Sequence, residues 1–323
     1  MAAATPLRSL DAWVAYLGNA QLPVLRRTVS ELGELARNEN SSAAQIAATV
    51  LHDPMMTLKV LQYLQRHRSQ SQRMDITTIG HALMMMGLTP FFRHFGALES
   101  LEDRLTRHPD ALAGARRVIY RARHAALYAS EWARARHDIE VEEVMIAALL
   151  HDLAEMLVWC FAPELAQRID ERLRGDPALR SADVQREVMG FPLLDLQLRL
   201  SREWNLPSLL ANLMDDAHAD NPRVTTVALA LRLARHSAAG WYNAALPDDY
   251  AAVQRLLGMP AQAQGGVDED GTGSLQRRGQ ERDDALGHHR DMDGCGHERP
   301  LITVDRPTST PAADRKSTRL NSS

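Results

Sequence analysis

From about Leu7 to Leu257, apolar residues recur at three- and four-residue spacing, and alternating or β-branched runs are scarce. That period lines apolar side chains along one face of a helix and argues against strands. The clearest element is LHDPMMTLKVLQYLQRH. There Asp53 can cap a helix whose first position is Pro54, where the missing N–H costs nothing, and Met55, Leu58, Leu61, Tyr63 and Leu64 give a broad apolar face. The dipeptide His52–Asp53 is therefore read as a helix start. Ser30 to Arg37 predicts an earlier helix with only a weak capping signal. Another is expected to open at Asp75, run through His81 to Met86 and stop at Gly87. Its Met84-Met85-Met86 run is assigned to core filling, because no Cys or His accompanies it at ligand spacing. Pro90 to Arg104 is read as continuing helically around Phe91, Phe92, Phe95 and Leu98. A long helix is expected from about Asp110 to Arg136, with Ala125, Ala126, Ala129 and Ala133 allowing close packing. Asp138 to Cys160 reads as one apolar helix ended by Pro163. Beyond it come Glu164 to Arg174, then Ser181 to Asn205 with a break at Gly190-Phe191-Pro192, where proline cannot continue the ladder. Pro207 to His218, Pro222 to Gly240 and Asp248 to Leu257 complete the pattern.

The pattern stops near Pro260. From Ala261 to Ser323 there is no Phe, Trp or Tyr, and Gly, Asp, Arg, Gln and Ser dominate, so the segment is expected to stay disordered. His288, His289, Cys295 and His297 fall in it at spacings that match no zinc pattern. Its last ten residues, DRKSTRLNSS from Asp314, read like one frame of a sequencing adapter and are set aside.

Composition narrows the classes. Of the 323 residues 45% are apolar, which is enough for a sizeable core, but only 5% are aromatic, so Leu, Ala, Val and Met must build it. A net charge of −4 gives no global reason to expect nucleic acid or an anionic membrane as partner. The basic run Arg116, Arg117, Arg121, Arg123 lacks interleaved exposed aromatics and is assigned to a solvated face. Cys160 and Cys295 are the only cysteines, so no disulfide framework or Cys-based zinc module is expected. No apolar run approaches the roughly 20 residues needed to cross a bilayer, and the N-terminus lacks a signal-peptide pattern. A cytoplasmic location follows as the expectation.

Candidate chemistry centres on VEEVMIAALLHDLAEMLVW, Val141 to Trp159, which sets His151–Asp152 inside an apolar helix. An imidazole and a carboxylate buried together need a metal, a partner or a hydrogen-bond network to offset their desolvation. His124 on the preceding long helix could converge with them on a divalent ion that activates water for phosphoester hydrolysis. Such a centre needs a further carboxylate and cationic groups for phosphate oxygens.

The pattern His124 … His151-Asp152 resembles the HD superfamily of metal-dependent phosphohydrolases. More closely, the chain resembles the HDOD domain, a mostly non-catalytic, all-helical relative found in bacterial signalling proteins. The similarity rests on Leu22-Pro23, HDPMMTLKVLQYLQ, ITTIGHALMMMGLTPF, RHAALYASEWA, AALLHDLAEMLV and REWNLP in that order. It implies an all-α, two-lobed helical bundle: an extension or short helix over 1–20, an HDOD domain over 21–260 with lobes 21–104 and 106–259, and the tail 261–323. Several positions depart from a catalytic relative. Ala154-Glu155 stand where Gly-Lys commonly follows the His-Asp pair, and Leu231 stands where Asp or Asn is expected. Asp215-Asp216, with His218 displaced, replace the paired histidines after Trp204 and Pro207, and Gln65 replaces an Asn. No HD-GYP-type motif is present. The resemblance therefore implies a non-enzymatic signal-transduction module that binds regulatory proteins. No catalytic or cofactor-binding residues and no metal are expected, and His124, His151 and Asp152 remain as remnants of a metal centre. The alternatives are a phosphohydrolase using Fe, Mn or Zn on a nucleotide or cyclic dinucleotide, and a ligand sensor using the former cleft.

Overall fold

A computed structural model describes residues 9–67, 78–176, 178–206, 208–213, 218, 220–238, 240 and 242–258. Asp75, Asp215-Asp216 and the tail histidines and Cys295 lie outside these. Among the described residues there are sixteen helices and no strand: α1 (Leu10–Gly18), α2 (Arg26–Arg37), α3 (Ala43–Leu51), α4 (Pro54–Arg66), α5 (Ile79–Met86), α6 (Leu88–Phe95), α7 (Leu101–Arg104), α8 (Pro109–Ala135), α9 (Val141–Leu150), α10 (Leu153–Phe161), α11 (Pro163–Gly175), α12 (Ser181–Met189), α13 (Leu193–Glu203), α14 (Ser208–Leu213), α15 (Pro222–His236) and α16 (Leu246–Leu256). The all-α reading holds.

Local chemistry explains many of the boundaries. Asp53 caps α4, accepting from the Met55 and Met56 N–H groups at 2.9 and 3.1 Å, with Pro54 in the first turn. Its second oxygen accepts from Leu25 N–H at 2.7 Å and the Thr28 hydroxyl at 2.9 Å, so one fully buried carboxylate also fixes the start of α2. Burial pushes the Asp53 carboxyl above its ordinary value, and those four donors pull it back. The sequence signal foretold the cap but not the tie to α2, which begins at Arg26 rather than Ser30. Ser42 and Gln45 form a capping box on α3 that the pattern alone did not bring out. Thr78 caps α5, and Gly87, at φ +80°, ends it in a conformation that costs glycine little.

Helices α2 to α6 pack consecutively, α2 on α3, α3 on α4 and α5, and α5 on α6. Before them, Val24 pairs with Ser100 in an isolated parallel bridge, with Val24 N–H on Glu99 C=O at 3.0 Å and Leu101 N–H on Val24 C=O at 2.7 Å. The second group is built on α8. Its buried Ala111, Ala115, Ala122, Ala125, Ala126, Ala129 and Ala133 let α9, α10 and α15 approach closely. Helix α1 joins this group by packing on α13 with Trp13, Val14 and Leu17 buried, and α16 lies on α15. The groups meet where α4 contacts α8 and α9. Nearby, the Glu142 carboxylate of α9 accepts from the Ile79 N–H at 2.6 Å at the N-terminus of α5. A helix N-terminus favours an anion there.

Several expectations are corrected. Met84 and Met85 are 74% and 51% exposed, so only Met86 of the methionine run packs against the core; on a short helix capped at both ends the apolar face is already supplied by Ile79, Ala82 and Leu83. Pro90 to Arg104 is not continuous: α6 ends at Phe95, and the chain runs through the Ser100 bridge before α7. The stretch Val141–Phe161 is long and apolar enough to cross a membrane by length and composition, yet 72% of its most apolar window is buried within the protein, as in a core helix.

Candidate functional site: an arginine on the His-Asp pair

The apolar stretch is two helices. Its ladder breaks at His151–Asp152, where Asp152 adopts φ −93° and ψ +24° between α9 and α10. In a continuous helix the Leu150 carbonyl would accept from Ala154 N–H. Here the buried Gln197 amide from α13 sits between them, with Oε1 accepting from Ala154 N–H at 2.8 Å and Nε2 donating to Leu150 C=O at 2.7 Å. The opened turn points the His-Asp pair toward α8.

His151 Nδ1 lies 2.9 Å from Asp152 Oδ1. The other oxygen, Oδ2, accepts from Arg121 Nε at 3.1 Å and Nη2 at 2.9 Å, and the same Nη2 donates to Glu155 Oε2 at 2.6 Å. The Arg121 side chain is only 19% exposed and that of Asp152 9%, so this pair is well shielded from water, whereas Glu155 at 36% keeps solvent contact. The solvated-face reading of the basic run is thus corrected for Arg121: its neighbours Arg116 and Arg117 pair at the periphery with Glu102 and Asp170, but Arg121 turns inward. Desolvation works against the Asp152 carboxylate. The His151 hydrogen bond and the charges of Arg121 and, further off, Arg235 outweigh it and hold the carboxyl well below its usual range. An ionised Asp152 makes His151 Nδ1–H the donor. Burial likewise opposes the Arg121 charge, but Glu155 and Asp152 more than offset it and keep the guanidinium charged.

The residues anticipated for a metal are only partly assembled. His151 and Asp152 touch each other. His124, three residues beyond Arg121 on α8, is exposed. Among the described residues no group of three or more His, Cys, Asp or Glu side chains is placed to hold a metal ion. Leu231 of α15, which stands where the resemblance implies an Asp or Asn, is a buried apolar side chain. Arg235, four residues on, adds positive charge toward Asp152 and Glu155 instead. The donor set does not fit a divalent ion, since both Asp152 oxygens are already engaged, one of them by a cation. Arg121 is the site residue that the sequence did not single out. Its signal was position alone, one turn before His124 on the same helix.

With this geometry in place, the family profile of the HDOD domain matches residues 22–220. The chain belongs to the HDOD family. No curated protein sequence matches it. Among solved structures, the HDOD chain is similar to the MmoQ response regulator from Methylococcus capsulatus strain Bath, with 21% identity, 76% of this chain and 96% of that one covered, and a TM-score of 0.60. A virulence factor from Campylobacter jejuni is similar at 19% identity, covering 76% and 87%, with a TM-score of 0.58. These likenesses show a shared fold. The HDOD match takes in Arg121, His151, Asp152 and Glu155, while α15 with Leu231 and α16 lie beyond it.

Proposed function

We propose that this HDOD chain is a non-enzymatic signal-transduction module, a helical scaffold in the bacterial cytoplasm that binds regulatory partner proteins. The observation that carries the reading is the commitment of both Asp152 oxygens inside the protein, one to His151 and one to Arg121. A hydrolytic centre of this kind needs the carboxylate free to hold an ion and polarise water, and here it neutralises a guanidinium. Glu155 supports the same reading: it stands where the resemblance to catalytic relatives implies a phosphate-binding cation, and here its carboxylate pairs with Arg121. The description of the structurally similar MmoQ as a response regulator accords with a signalling role.

The purified chain, supplied with Fe, Mn or Zn and a panel of nucleotides and cyclic dinucleotides, is expected to give no turnover above background. Affinity capture from the native host is expected to recover a signalling protein. Turnover that disappears in His151→Ala would overturn the reading, and so would capture that yields no signalling protein across several growth conditions.

A further inference from the structure

One atom of Arg121 organises the centre. Its Nη2 lies 2.9 Å from Asp152 Oδ2 and 2.6 Å from Glu155 Oε2, so two carboxylate oxygens from either side of one helical turn converge on a single positive nitrogen. Carboxylates one turn apart that meet on one cation form the kind of oxygen pair hard divalent ions accept. Here the cation is tethered to α8, and its Nε makes a second bond to Asp152 at 3.1 Å. A free ion entering the same space would meet a fixed like charge at contact distance, and Arg235 adds positive charge toward both carboxylates.

We propose that Arg121 is the built-in cation of this centre: its guanidinium takes the place of a divalent ion between Asp152 and Glu155, and its presence makes the centre refuse metal. The inference rests on the non-enzymatic reading above and explains why the His-Asp pair persists without ligand geometry. The cation it needs is carried by the chain itself. Arg121 acts as a positioning residue. It joins α8 to the turn between α9 and α10, and the pairing does not depend on metal supply.

The test uses the full chain and MnCl2 as the metal probe. The wild type is expected to show no manganese-dependent change in Tm and to retain no manganese after desalting. Arg121→Ala and the more isosteric Arg121→Gln are expected to melt lower, and their Tm should rise with added MnCl2. For a domain of this size, a tenfold excess over the dissociation constant corresponds to a rise of about 3–5 °C. Arg121→Lys, which keeps a cation, should stay blind to manganese, and adding Asp152→Ala to Arg121→Ala should abolish the response. An ordinary structural ion pair would lower Tm on mutation without making it depend on manganese. If Arg121→Ala does not fold alone, refolding with and without MnCl2 decides the same question, and recovery only with manganese supports the proposal. Failure of both the Ala and Gln variants to respond overturns it while leaving the non-enzymatic reading intact. Wild-type protein that retains manganese and hydrolyses phosphodiesters would overturn both.

Discussion

Replacing Asp152 removes the acceptor of three hydrogen bonds at once, one from His151 and two from Arg121. Asp152→Ala leaves a mostly buried guanidinium with only Glu155, and should cost about 1–3 kcal/mol at pH 7 in a denaturant titration. The pH dependence follows from the depressed carboxyl. The folded state holds the proton less tightly than the unfolded chain, whose carboxyl titrates near about 4. The stability this contributes is fully present above the unfolded value and is lost as pH falls toward the folded one. Between about pH 5 and 2 the wild type should therefore lose stability more steeply than Asp152→Asn, which has no proton to gain. Parallel losses in the two proteins, followed by urea unfolding at pH 7, 4 and 3, would remove Asp152 from the acid response. The His-Asp pair was legible because its members are adjacent. Arg121 was not, because it lies 31 residues away in a run of four arginines, and sequence periodicity does not say which of them faces inward.

At the scale of the helix, two contacts decide how α8, α10 and α13 meet. Gln197 bridges backbone groups on either side of the broken turn. In Gln197→Leu the Ala154 N–H and Leu150 C=O lose their partners in a buried place, which should cost about 2–6 kcal/mol, since each of the two unsatisfied groups costs about 1–3. A loss under about 1 kcal/mol would mean that the two groups close on each other and the ladder heals. Gly114 of α8 seats the buried Trp159 indole of α10, and a Cβ there would stand 2.5 Å from ring carbons. Alanine gains up to about 1 kcal/mol in helix propensity over glycine, but overpacking a rigid ring costs about 1–3. Gly114→Ala should thus lower Tm, and Gly114→Ala with Trp159→Leu should lower it by less than the two single losses added together. Additive losses would show that the helices shift to absorb the methyl. Most helices were legible from periodicity and caps, as at Asp53-Pro54. The break at His151–Asp152 was not, because the turn is stabilised by a side chain from α13 and the local sequence is apolar on both sides.

Across the whole molecule, the fold class and family could be read from ordered segments between Leu22 and Pro207, but the way the last helices close the bundle depends on a charge cluster that no motif announces. Asp249 of α16 is fully buried and accepts from His236 Nδ1 at 2.5 Å and Arg232 Nη2 at 2.7 Å, both on α15. Leu246 and Val253 add the buried apolar side chains on either side of it. The cluster is asymmetric, with the carboxylate inaccessible while Arg232 and His236 are 50% and 28% exposed. Removing the acid leaves an arginine and a histidine that water can reach. Removing those two donors leaves a carboxylate that water cannot reach. Breaking a buried pair is expensive when the stranded charge stays buried, about 3–5 kcal/mol, whereas a stranded group at the surface resolvates. Asp249→Ala should therefore cost about 1–2 kcal/mol, near the net value of its hydrogen bonds, and the double variant Arg232→Ala/His236→Ala should cost more. Thermal unfolding ranks the two, and amide exchange along Leu246–Leu256 shows whether the loss is confined to α16. If Asp249→Ala proves the more damaging change, the helix is held by the carboxylate's own attraction, and the desolvation argument for this end of the bundle fails.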